Sequence, residues 1–298
     1  MALKRQRLAE RRRAVGHSQE RLAEILGIER STVGRWERAE TDPLPYLRPR
    51  LARALKVSPD ELAEMLDEVQ SAEPQRNERL DRVLSNPTSV DLVTTAYLRQ
   101  RVQALIEEYD RVPSALLLAA AGQCHGQVAY LRQNAPSGRV RRELFAVEAE
   151  SATLMGQLVW DASQRRDNTT TLAYFDAAIT AARQVRDDFA EAHAQLRKSY
   201  VALYGLRNPK DGLLLAKAAA RTAKGTSPAL VGIALMHVGE AHAMLRETRS
   251  CEKALGTAQV QFGRSEGTDP ASGFFTPADH DRITGSCHLF LGELAVLS

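Results

Sequence analysis

SQERLAEILGIERSTVGRW, residues Ser18 to Trp36, reads as two short helices joined by a tight turn. Ser18 is a natural N-cap, Leu22, Ala23, Ile25 and Leu26 follow at helical spacing, and Gly27 supplies the left-handed stop. Arg21 stands where a capping box would need Glu or Gln, so no box is expected there. The second helix, Glu29 to Arg38, turns Val33 and Trp36 inward and presents Arg30, Ser31, Thr32 and Arg35 to solvent. A helix-turn-helix of this kind is how a small domain offers side chains to the major groove of DNA.

The flanks complete a compact all-helical head. Upstream, Leu3 to Ala14 is a basic helix with Leu8 on its apolar side, and Gly16 suits its stop. Downstream, Asp42, Pro43 and Pro45 break the pattern, and a fourth helix follows through Leu51, Leu55 and Val57. Ser58, Pro59, Asp60 and Glu61 then provide an N-cap, a proline at the first helical position and two acids in the first turn. Leu62, Met65 and Leu66 give that fifth helix its apolar face.

The net charge of +3 conceals an asymmetry. Residues 1 to 56 hold 14 Lys and Arg against 7 Asp and Glu, a balance of +7. The remainder holds 26 against 30, a balance of −4, so positive charge collects where the helix-turn-helix lies. Three scattered cysteines, Cys124, Cys251 and Cys287, make no disulfide framework, and no apolar run is long enough for a membrane span or a signal-peptide core. A soluble cytoplasmic protein is expected.

Residues 70–87 turn polar and read as a linker between a head over 1–69 and a body over 88–298. Helical apolar spacing recurs in the body over 90–110, 114–134, 140–165, 171–186, 190–205, 211–224, 228–245, 249–262 and 277–297. Short breaks between such helices predict stacked antiparallel pairs. LMGQLVWDA (154–162), LRKSYVALY (196–204) and HVGEAHAML (237–245) align as first helices of successive units, with Gly156, Arg197 and Gly239 at offsets of 41 and 42 residues. Trp160, Tyr174, Tyr200 and Tyr204 belong to the core by their helical spacing, with a groove lining as the alternative. The expected fold class is all-α: a five-helix head followed by an α-solenoid of helical hairpins.

By the logic of the motif, Arg30, Ser31, Thr32 and Arg35 are the base readers. Gln19, at a helix N-terminus, and Arg38, Arg48 and Arg50, flanking the reading helix, are the phosphate contacts. Glu37 runs against a basic face and pairs internally with Arg12, while Glu29 suits the dipole at its helix start. No catalytic set is present, and no enzyme or cofactor is expected. Cys124-His125 and Cys287-His288 are adjacent pairs, which cannot both face one metal from a regular helix, so no metal site is expected.

Residues 3–66 resemble the Cro/repressor (XRE-type) helix-turn-helix family. The resemblance rests on Ser18-Gln19-Glu20, Leu22-Ala23, Gly27-Ile28, Ser31-Thr32-Val33, Arg35-Trp36-Glu37, Leu51-Ala52-Arg53-Ala54-Leu55 and Ser58-Pro59-Asp60-Glu61-Leu62. It implies Gln19 on a phosphate and Arg30, Ser31, Thr32 and Arg35 in the groove, and Gly34 departs from the polar residue common at its position. The body resembles the tetratricopeptide-like region behind such heads in bacterial regulators. Together these imply a transcriptional regulator bound as a homodimer to an inverted-repeat operator on double-stranded DNA. A peptide, protein or small-molecule effector would occupy the helical groove. The alternative is an interaction adaptor in which DNA contact is secondary.

Overall fold

The computed structural model describes residues 5–38, 40–66, 78–136 and 138–292, and those residues form helices and turns without a strand. The chain divides into two units, Met1–Ser85 and Asn86–Ser298.

The first unit holds α1 (Gln6–Ala14), α2 (Gln19–Leu26), α3 (Arg30–Glu37), α4 (Arg48–Leu55) and α5 (Pro59–Leu66). Ser18 caps α2 by accepting the Arg21 N–H at 3.1 Å, and Gly27 ends it at φ 70°, where a side chain would strain the backbone. Ser58 and Glu61 form a reciprocal capping box on α5, at 3.1 and 2.7 Å. Leu8, Leu22, Leu26, Val33, Trp36, Leu51, Leu55 and Leu62 fill one core drawn from all five helices. Ile25, which shares the helical spacing of Leu22 and Leu26, instead stays exposed. A sixth helix, α6, spans 78–85 inside the segment expected to be linker. Leu80 and Val83, one turn apart, are both buried there, so apolar periodicity overrides the polar composition. Residues 67–77, which include the first part of that linker, lie outside the described set.

The second unit comprises α7 (Leu92–Glu108), α8 (Ser114–Asn134), α9 (Arg139–Ala162), α10 (Asn168–Val185), α11 (Asp188–Tyr200), α12 (Pro209–Thr222), α13 (Pro228–Met244), α14 (Thr248–Phe262) and α15 (Pro277–Leu291). These follow the nine expected helical stretches closely, the last ending at 291, and 293–298 lie outside the described residues. The side chains of Asp91, Asp167, Asp187, Asn208, Ser227 and Thr276 each cap a helix by accepting a backbone N–H. Proline follows three of those caps directly or by one position, and together they fix the hairpin corners.

α9 pairs with α10, α11 with α12 and α13 with α14, and each hairpin packs on the next, as in an α-solenoid. The first helices carry small residues at the crossings. A Cβ on Gly156 would lie 2.6 Å from the Phe175 ring of α10, and one on Gly239 would lie 2.9 Å from Leu255 of α14. Arg197, aligned with these glycines by sequence, does not share their role. Its guanidinium lies over the Tyr200 ring at 5.5 Å, because a long cation has no place in a close helix crossing. α11 runs into a π turn at Val201–Gly205, closed by the Leu206 N–H to the Val201 carbonyl at 2.8 Å.

Candidate nucleic-acid interface

The reading surface is built on a polar joint beneath it. The Arg12 guanidinium donates to both Glu37 carboxylate oxygens, at 2.6 and 3.3 Å, and Arg12 also donates to the His17 carbonyl at 2.7 Å. Both partners of the ion pair are buried. Gln19 adds its amide to the same carboxylate, Nε2 to Oε2 at 2.7 Å. Glu37 therefore ties α1, α2 and the end of α3 together. A primary amide has two N–H donors, so the one Gln19 gives to Glu37 leaves the other available.

Arg5, absent from the expected set, is a second joint. It is 4% exposed and donates to the Leu66, Trp36 and Thr41 carbonyls at 2.9 to 3.1 Å, with Asp42 as its ionic partner. Arg11 donates to the Leu55 and Lys56 carbonyls at 2.9 and 2.6 Å. Three of the N-terminal arginines thus close the fold. The Arg12–Glu37 pair is the one expected from the sequence; Arg5 and Arg11 find mostly backbone carbonyls distant in sequence, so no side-chain pattern announces them.

On the outer side, Arg30, Ser31 and Arg35 are exposed and Thr32 is half-buried. The Arg35 side chain enters no hydrogen bond or ion pair among the described residues. Arg30 pairs with Glu20 of α2 at 2.7 Å, and Ser31 donates to Glu29 at 3.1 Å. Hydrogen bonds at the start of α2, from its own backbone and Ser18, hold the Glu20 carboxyl below its usual range, with Arg30 helping. Both partners of the Arg30–Glu20 pair are solvent-exposed, so it contributes little to stability.

The flanking cations are also engaged. Arg38 donates to both oxygens of Glu40, at 2.6 and 3.2 Å, Arg48 to the Pro43 carbonyl at 3.1 Å and Arg50 to the Ile25 carbonyl at 3.0 Å. All three remain solvent-facing. The bond from Arg50 spans α4 to the end of α2, so its guanidinium sits beside the helix-turn-helix. Gly34 faces only Arg38, whose Nη1 would lie 3.1 Å from an added Cβ.

Against known proteins, residues 8–62 match the helix-turn-helix family model. No curated protein matches the sequence. Among solved structures, the chain is similar to PlcR of Bacillus thuringiensis, crystallised in complex with the peptide PapR7 and DNA. That likeness has 16% identity and a TM-score of 0.37, over 87% of this chain and 94% of that one. The capped α2, the left-handed turn at Gly27, the outward α3 and the matched family model agree: the N-terminal unit is an XRE-type helix-turn-helix DNA-binding domain.

Proposed function

We propose that this protein is a sequence-specific transcriptional regulator. The observation that carries the reading is α3, which turns Arg30, Ser31 and Arg35 to solvent from a helix fixed by the buried Arg12–Glu37 joint. In this reading Arg30, Ser31, Thr32 and Arg35 contact base edges, and Gln19, Arg38, Arg48 and Arg50 hold phosphates. The free N–H of Gln19 and the N-terminus of α2 would share one phosphate. The chain would act as a homodimer on two half-sites about 10 base pairs, or a multiple, apart. The helical body would supply dimerisation and the surface for an effector, and effector binding would change operator affinity by favouring one arrangement of the heads.

Selection from a random duplex pool, followed by footprinting, tests this. The expected result is one recovered inverted repeat, bound with a steep salt dependence. Arg30→Ala and Arg35→Ala should each weaken binding to it by about 5- to 150-fold, the equivalent of about 1–3 kcal/mol. Equal affinity for every duplex, unaltered by either substitution, would instead favour the adaptor reading.

A further inference from the structure

The body contains a cavity that DNA reading leaves unused. It measures about 480 Å³, within the range of about 300–1,000 Å³ usual for small organic ligands. Its walls come from the first helices of the three hairpins, through Trp160 of α9, Arg197 and Tyr200 of α11 and His237 of α13. These lie in the three segments that repeat in the sequence. The π turn after α11 brings Tyr204 into the same wall, and such turns are frequent at functional sites. Phe274 and Phe275, just before α15, and Arg282 within it complete the lining.

The carboxylates in and beside this cavity are already engaged. Asp161 takes the Tyr109 hydroxyl, and Glu240 takes that of Tyr204. Asp279 accepts the Thr276 N–H at 3.0 Å and its hydroxyl at 2.8 Å. Arg282 pairs with Asp279 at 3.8 Å, but the other two guanidinium groups of the lining have no carboxylate partner among the described residues. Arg165 lies over the Trp160 ring at 5.0 Å and Arg197 over Tyr200 at 5.5 Å, and neither forms an ion pair among the described residues. Arg197 gives its Nε–H to Nε2 of His193 at 3.2 Å. Burial, with Arg197 beside it, pushes that imidazole down to about 3, so it stays neutral and accepts. The Nη atoms of Arg197, a residue of the cavity lining, form no hydrogen bond among the described residues. Guanidinium groups held over ring faces without a carboxylate partner suit a guest that brings negative oxygen acceptors and a flat apolar body.

We propose that this cavity binds a small planar organic anion, an aromatic carboxylate in its simplest form. Arg197 and Arg165 take the anionic group, and the aromatic walls take the ring. The role of that anion as the effector rests on the regulator reading above.

The test is calorimetry on the full chain with 2-naphthoate, its neutral analogue 2-naphthalenemethanol and ringless butyrate as probes. Naphthoate should bind one to one and perturb Trp160 fluorescence, with both other probes at least tenfold weaker. Arg197→Gln should weaken naphthoate at least tenfold, and Arg165→Gln severalfold. Arg221→Gln, on α12 outside the cavity, should change nothing. Arg165 is exposed, so its variant keeps the test valid if Arg197→Gln fails to fold. Equal affinity for the acid and the alcohol, or indifference to the Arg165 and Arg197 substitutions, overturns the proposal. Operator binding is measured on the same samples. Loss of naphthoate binding with intact operator selection sinks the cavity and spares the regulator reading, and naphthoate binding without operator selection does the reverse.

Discussion

At the scale of single residues, the head separates arginines that fold it from arginines that face outward. Arg12 is the clearest of the first kind. Removing one partner of a buried ion pair strands the other charge, at a cost of about 3–5 kcal/mol. Glu37→Ala should therefore lower the unfolding free energy of the head by about that much, and it should also free the Gln19 amide. Urea unfolding followed by Trp36 fluorescence measures the loss, and a change below about 1 kcal/mol would remove Glu37 from its central role. Arg35 and Arg38 are of the second kind, and they should differ in kind from each other. Arg35→Ala should weaken the preferred site by about 1–3 kcal/mol and leave other duplexes nearly unaffected. Arg38→Ala should weaken all duplexes alike and reduce the salt slope by about 1. Binding isotherms on matched and scrambled duplexes at several salt concentrations distinguish the two.

At the scale of elements, the two informative glycines point in opposite directions. Gly34 sits inside α3 with ordinary helical geometry, and the nearest atoms an added Cβ would meet belong to the guanidinium of exposed Arg38. Gly34→Ala should stabilise the head by about 0.5–1 kcal/mol, because alanine loses less backbone freedom on folding. Gly156 sits at a helix crossing, where a Cβ would meet the fully buried Phe175 ring. Gly156→Ala should destabilise the body by about 1–3 kcal/mol, the usual cost of overpacking. Thermal unfolding of both variants checks the opposite signs. These elements were legible because their signals are local: Ser18 and Gly27 bracket α2, and Asp, Asn, Ser and Thr caps mark the hairpin corners. The helix over 78–85 was hidden by its charged composition, although Leu80 and Val83 carry the period. The π turn left no signal, since it is set by packing of Tyr204 toward His237 and Glu240, more than 30 residues away. Arg5 was missed for the same reason, because carbonyls have no sequence identity.

At the scale of the molecule, charge acts differently in the two units. In the head, Arg5, Arg11 and Arg12 spend their charge on internal acceptors, so the field offered to phosphates is narrower than the sequence balance implies. In the body, burial keeps histidines neutral: His125, His193 and His237 all lie below their usual range, with desolvation the largest cause for each. Above about pH 6.5 these rings are neutral both folded and unfolded, and stability is at its full value. As pH falls below that, the unfolded chain takes protons that the folded body refuses, so stability drops toward the folded value, about 3 for His193. Between pH 7 and 5 His193 accounts for a loss of about 1–2 kcal/mol. His193→Gln supplies an oxygen that can still accept the Arg197 Nε–H but cannot take a proton in this range. The variant should therefore lose about 1–2 kcal/mol less than the parent chain between those two pH values, read from urea midpoints by circular dichroism. Identical losses in the two proteins would mean that the folded body protonates His193, and the neutral acceptor that holds Arg197 toward its cavity would then be gone.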